Sequence, residues 1–81
     1  MTILAVEMTP LAQDVSFSDD VLIVDLIDGR TLSAPLIWFP KLSNASQKQR
    51  ETWEIMGSGE GIHWPEIDED LSIAGLLIGA H

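Results

Sequence analysis

The chain has no cysteine and no tyrosine, and only four basic residues stand against thirteen acids. Without cysteine there are no disulfides, no cysteine–zinc sites and no thiol nucleophile, which fits a reducing, cytoplasmic setting. With so few Lys and Arg and a net charge of -9, the chain is repelled by a duplex, because nucleic-acid affinity rests on cations that neutralise phosphates. Anionic membrane surfaces are equally poor partners. Long apolar runs are also missing. Nothing approaches the ~20 residues that span a bilayer, and MTILAVEMTP lacks the basic start of a signal peptide. What such a charge does favour is solubility and steering toward a basic protein partner.

Eighty-one residues make one domain, expected over 1–81, with no room for a second core. The apolar share of 46% is that of a folded chain. A domain this small is marginal alone, so a homodimer is a natural way to bury more surface.

The first half reads as sheet. Ile3 to Met8 alternates weakly, Val15–Phe17 is a short extended piece, and Ser18-Asp19-Asp20 is a turn. Val21 to Asp28, VLIVDLID, is the strongest strand signal. Asp28-Gly29 marks a hairpin, and its register can be argued. A two-residue loop sets Leu26 opposite Thr31 and mixes apolar with polar residues on one face. A three-residue loop, Ile27-Asp28-Gly29, with Gly29 left-handed in a G1 bulge, sets Val24 opposite Leu32 and Leu22 opposite Ala34. Leu22, Val24, Leu26, Leu32 and Ala34 then share one buried face, so this register is expected. Leu36–Pro40, between prolines, reads as a single turn packed on the sheet.

The second half reads as helix and loop. Ser46 to Met56 is expected as the main helix, with Ser46 as N-cap and Gln49 closing a capping box. Leu42, Ala45, Gln49, Trp53 and Met56 form its apolar face, Arg50 and Glu54 a side pair, and Gly57 its left-handed stop. GSGEG, 57–61, is a loop, and Ile62-His63-Trp64 a short last strand stopped by Pro65. Ser72 caps a terminal helix, Ile73 to Ile78, with Gly79 ending it. The expected fold is α+β: a small antiparallel sheet, made of N-terminal strands and the hairpin, packed with two or three short helices.

GIHWPEIDEDLS, 61–72, carries the densest chemistry. Glu66, Asp68, Glu69 and Asp70 are expected near a helix start, where the dipole favours carboxylates by ~0.3–1 kcal/mol each. A metal reading takes His63 with Asp68 and Asp70, but the spacing fits neither an EF-hand nor HExxH. An acid–base reading pairs His63 with Asp68 or Glu69. The nearby serines offer no nucleophile: Ser72 is a cap, and Ser58 sits in a loop without the Lys of a phosphate loop. The plainer role for His63 is a hydrogen bond to one of these acids that pins the loop. No catalytic residue, metal ligand or cofactor motif stands out. Trp38, Trp53 and Trp64 read first as core, though Trp38-Phe39, flanked by prolines, also reads as an exposed patch for a partner. Lys41, Lys48 and Arg50 read as a solvated helix face.

Together these stretches resemble a known family. DGRTLSAPLIWFPKL, 28–42, followed by NASQKQRETWEIMGSGEGIHWPEIDEDLSIAGLL, 44–77, is similar to the bacterial domain of unknown function 2442. The shared pattern is a DGR hairpin turn, a proline-flanked Trp segment, a capped helix, a G-x-H-Trp-Pro loop, an acidic run and a terminal Leu-Leu-x-Gly. It covers roughly residues 14 to 79. Many relatives have Pro after the helix N-cap, where this chain has Gln47. The resemblance implies a small bacterial α+β domain and no activity. It makes Asp28, Gly29, Arg30, Trp53, Gly61, His63, Trp64, Pro65 and Ser72 signature positions of the fold. In some relatives a helix-turn-helix domain follows, and with the sequence ending at His81 that DNA-reading part is expected to be missing. The resemblance also implies one member of a two-gene pair, antitoxin-like or regulatory. The expectation is therefore a non-enzymatic protein-interaction module whose contacts are Trp38, Phe39, Glu66, Asp68, Glu69 and Asp70. The alternative is a small metal- or acid/base-dependent enzyme site at His63, Asp68 and Asp70.

Overall fold

The computed structural model describes residues 10–78. The strand expected at Ile3–Met8 and the stop at Gly79 lie outside these residues. Among the described residues six strands form two three-stranded antiparallel sheets, β1(Ala12–Ser18)-β2(Val21–Leu26)-β3(Thr31–Pro35) and β4(Glu54–Met56)-β5(Gly61–Trp64)-β6(Glu69–Ser72). Between them run a 3-10 turn at Leu36–Trp38 and two one-turn helices, α1(Pro40–Ser43) and α2(Gln47–Arg50). Helix α3(Ile73–Leu77) follows β6. The α+β class is as expected, although the polar share of the chain hides a second sheet.

The first hairpin has the register its apolar pattern demands. Val24 pairs with Leu32 and Leu22 with Ala34. The Leu26 N–H donates to the Arg30 carbonyl (2.8 Å) and the Gly29 N–H to the Leu26 carbonyl (3.1 Å), which closes a three-residue loop with Gly29 at φ 98°. Only glycine adopts that conformation without strain. Leu22, Val24, Leu26 and Ala34 are buried, as the one-face argument requires. Asp19, at φ 49°, turns the chain from β1 into β2.

Both sheets feed one core. Leu22, Leu26 and Val24 from the first sheet join Ile62 and Trp64 of β5, Leu71 of β6, Ile73 of α3, and Leu42 of α1. Trp64 is fully buried, and Phe17 of β1 meets it edge-on with centroids 6.3 Å apart. Its indole N–H donates to the Arg50 carbonyl at 2.9 Å, which gives the polar end of a buried indole the partner it needs. The sheets are also tied through backbone, by Ala12 N–H to the Gly59 carbonyl at 2.8 Å.

The long helix expected over Ser46–Met56 is not formed. Ser46 does cap, and its capping box with Gln49 is complete, but the helix ends at Arg50. The next carbonyls are taken by other donors: the Thr52 hydroxyl bonds the Gln49 carbonyl (2.7 Å) and the Trp64 indole takes that of Arg50. Beyond this point Glu54, Ile55 and Met56 pair with His63, Ile62 and Gly61 as β4. Gly57 is left-handed, at φ 61°, but it turns a hairpin rather than capping a helix. The Arg50–Glu54 helix pair is likewise replaced. Arg50 Nε and Nη2 donate to the carbonyls of Leu42 (2.9 Å) and Ser43 (3.0 Å), so one guanidinium satisfies the end of α1. Two residues of the expected apolar face, Leu42 and Met56, thus belong to a different helix and to a strand. In the terminal helix Ser72 accepts from the Gly75 N–H at 3.2 Å, as a cap should.

Candidate functional site

Pro65–Asp68 is a tight turn between β5 and β6. Asp68 holds its left-handed corner at φ 53°, a position where Asp and Asn are tolerated better than other side chains. Its carbonyl accepts from Lys41 Nζ at 2.9 Å, which draws α1 against the turn. Glu69 and Asp70 then enter β6 rather than a helix, and no acid lies in the first turn of α3. The helix-dipole account of this acidity is therefore corrected. These carboxylates are set by a turn and a strand.

On β5, His63 stands opposite Glu54 of β4 and opposite Asp70 of β6. The three side chains make one row across the outer face of the second sheet, since Ile55, Ile62 and Leu71 take the inner one. His63 Nδ1 is in contact with an Asp70 carboxylate oxygen. That hydrogen bond, and then the nearby charges of Asp70, Glu54 and Asp68, hold the imidazole pKa above its ordinary value against partial desolvation. The acid that pins His63 is thus Asp70, across the ladder. Among the described residues, no group of three or more His, Asp or Glu side chains is arranged to hold a metal ion.

The second feature is a cleft of about 430 Å³ between the 3-10 turn and the outer edge of β6. It is lined by Trp38 and its neighbours Phe39 and Pro40, by Glu69, Asp70, Leu71 and Ser72 of β6, and by Leu76 of α3. Trp38 is 42% exposed although it is large and apolar. Residues far apart in sequence, Trp38 with Glu69 and Asp70, share one concavity. Phe39 also lines the cleft, but from within the core. It is 3% exposed and part of the core, because the chain turns between the 3-10 turn and α1 and sends alternate aromatics out and in. The expected Trp38-Phe39 surface patch is corrected to Trp38 alone. Glu66 is exposed in the turn, outside the residues that line the cleft.

The remaining signature residues lie elsewhere in the fold. Asp28 takes the Arg30 N–H (3.0 Å) and its Nε (2.8 Å), with Nη2 at 2.7 Å, and the guanidinium holds the Asp28 carboxyl below the usual range. Trp53 is half-buried against the core, and Pro65 is exposed in its turn. A Cβ on Gly61 would stand 2.9 Å from the Leu71 carbonyl. Glu54, the third member of the His63 row, was hidden by its place in an apparent helix. The signal for it was the alternation Glu54-Ile55-Met56 before a Gly-rich turn, which is a hairpin pattern.

No curated protein matches the chain. Two solved structures resemble it. A crystal structure of a protein of unknown function from Rhodospirillum rubrum ATCC 11170 is 37% identical, with a TM-score of 0.76, over 88% of this chain and 88% of that one. A solution NMR structure of an uncharacterized protein from Chromobacterium violaceum is 27% identical, with a TM-score of 0.73, over 85% of this chain and 65% of that one. The family described as protein of unknown function (DUF2442) matches residues 12–81, and the chain belongs to that family.

Proposed function

We propose that this protein is a non-enzymatic interaction module that receives a basic protein partner in the cleft between Trp38 and the acidic edge of β6. The observation that carries the reading is the meeting of an exposed indole with Glu69 and Asp70 in one concave site. A Lys or Arg side chain suits such a site, since its cation is attracted to an indole face by ~0.5–2 kcal/mol and to a carboxylate beside it. The net charge of -9 adds long-range steering toward a basic surface. A role as the antitoxin-like or regulatory member of a two-gene pair, in the cytoplasm, belongs to the same proposal. Co-expression with the product of the neighbouring gene, followed by size-exclusion chromatography with light scattering, tests it. The expected result is co-elution at a defined ratio that Trp38→Ala, or Glu69→Gln with Asp70→Asn, abolishes while the circular dichroism stays native. A neighbour left behind by the wild-type chain counts against the proposal.

One observation supports a second reading, a small acid/base site. The Asp70 carboxylate orients the His63 imidazole, as a base-positioning group does. Asp68, the third residue of that reading, already has a conformational role in its turn. If His63→Ala and Asp68→Ala change stability alone, with no effect on the growth phenotype of a host lacking the gene, this second reading is finished.

A further inference from the structure

Among the described residues four strands lie at sheet edges, β1 and β3 in the first sheet, β4 and β6 in the second. Exposed edges invite pairing with another chain, and folded proteins usually guard them with charge or with bulges. β1 carries Asp14 and a register shift between Ala12 and Asp14. β4 carries Glu54, and β6 carries Glu69 and Asp70. β3, TLSAP, has no charge and no register shift. In a chain with thirteen acids, the residues from Thr31 to Pro40 include none.

The groups that β3 presents follow from its ladder. Leu26 and Arg30 are a hydrogen-bonded pair, so Val24–Leu32 and Leu22–Ala34 are too, and the alternate residues of β3 face away from β2. Thr31, Ser33 and Pro35 therefore turn their backbone groups outward, and all three are exposed. Pro35 has no N–H to offer, which leaves two donors, on Thr31 and Ser33, and three carbonyls. Beside this edge lies an apolar groove of about 380 Å³ between β3 and α3, where Leu77 is 39% and Ile78 80% exposed.

We infer that the outer edge of β3 is a self-association surface, on which a second copy of this chain adds its own β3 antiparallel about a two-fold axis through Ser33. That register uses every donor the edge has. Each Ser33 N–H meets the Ser33 carbonyl of the other copy, and each Thr31 N–H meets the other copy's Pro35 carbonyl. Pro35 supplies the acceptor for the Thr31 donor, and its missing N–H leaves only the Thr31 carbonyl of the other copy without a strand partner. A symmetric contact brings the same surface from both copies. Because the axis is perpendicular to the sheet, both α3 helices lie on one side of the joined sheet, and Leu77 and Ile78 of the two copies cover each other. The uncharged edge lets two strongly acidic chains meet without acids on the pairing strands, whereas pairing through β1, β4 or β6 would bring Asp or Glu of both copies into the seam. The groove shares Trp38 and Leu76 with the cleft, but the pairing is made by the backbone of Thr31, Ser33 and Pro35, so the Ser33→Lys and Trp38→Ala tests tell the two proposals apart.

Light scattering on the full chain over a concentration series, with amide hydrogen exchange at Thr31 and Ser33, tests the inference. The expected outcome is a two-chain particle whose Thr31 and Ser33 amides become protected as concentration rises. Ser33→Lys, which puts like charges on the axis, should give a single-chain particle with native circular dichroism, while Ser16→Lys on β1 leaves the pair intact. If Ser33→Lys does not fold, the wild-type exchange pattern decides alone. A single-chain particle at NMR concentrations overturns the inference, as does a pair that survives Ser33→Lys or leaves these two amides unprotected. So does protection that appears only when a different protein is added, which would assign the edge to that partner.

Discussion

His63 stands between Glu54 and Asp70, and its protonated form is what those neighbours favour. Its pKa is raised from about 6.5, chiefly by the Asp70 hydrogen bond. A histidine whose folded pKa exceeds its unfolded value adds stability that is whole below the unfolded value and fades as pH rises through the folded one. Thermal melts should therefore show a fall in stability as pH climbs from below 6.5 through the raised His63 pKa, and His63→Gln should flatten that segment of the curve. An NMR titration that finds the His63 midpoint at or below 6.5 contradicts the account. Two glycines offer a paired comparison at the same scale. Both have positive φ, but a Cβ on Gly29 meets nothing within 4 Å, whereas one on Gly59 would sit 2.8 Å from the Ala12 carbonyl oxygen and 3.0 Å from its nitrogen. Gly29→Ala should cost about 1–2 kcal/mol from conformation alone. Gly59→Ala should cost more, because it also pushes apart the backbone bond that ties the two sheets. Urea denaturation of the two variants checks the order.

At the scale of elements, short pieces are held by caps and tertiary bonds rather than by their own propensity. Helix α2 is a single turn, and an isolated turn is unstable in water, so its capping box carries much of its definition. Ser46→Ala should cost about 1 kcal/mol, a drop of about 4–8 °C in Tm for a domain of this size. Trp64→Phe keeps most of the buried ring but leaves the Arg50 carbonyl without its indole donor. The expected loss is about 1–3 kcal/mol, measured by the same melts. These bonds also explain which elements could be read in advance. The β2–β3 hairpin was legible because its register follows from period-two alternation and one left-handed glycine, both local properties. The caps at Ser46 and Ser72 were legible for the same reason. The helix over 46–56 was misread because Leu42, Ala45, Gln49, Trp53 and Met56 satisfy a helical spacing that belongs to no single element. What stops the helix, Trp64 reaching back to Arg50, is a contact across fourteen residues. β6 was missed because Glu69-Asp70-Leu71-Ser72 has only one apolar residue, and its strand form comes from pairing with β5. The Trp38 cleft shows the same division: its residues were named from their types, but their meeting depends on the packing of two sheets.

The whole molecule combines a strongly acidic surface with two uncharged or aromatic interruptions, the Trp38 cleft and the β3 edge. Net charge alone attracts a basic partner to any face and sets association rate more than place. The central claim is that a basic partner is received at one place. The most direct measurement is a ¹⁵N-labelled full chain titrated with a short Lys- and Arg-containing peptide at physiological salt, with a sequence-scrambled acidic peptide as control. The account predicts that the largest shifts fall on the Trp38 indole N–H and on the amides of Glu69, Asp70 and Leu71, and that Trp38→Ala removes them. Shifts spread over the acidic surface in proportion to charge, untouched by Trp38→Ala, would contradict it.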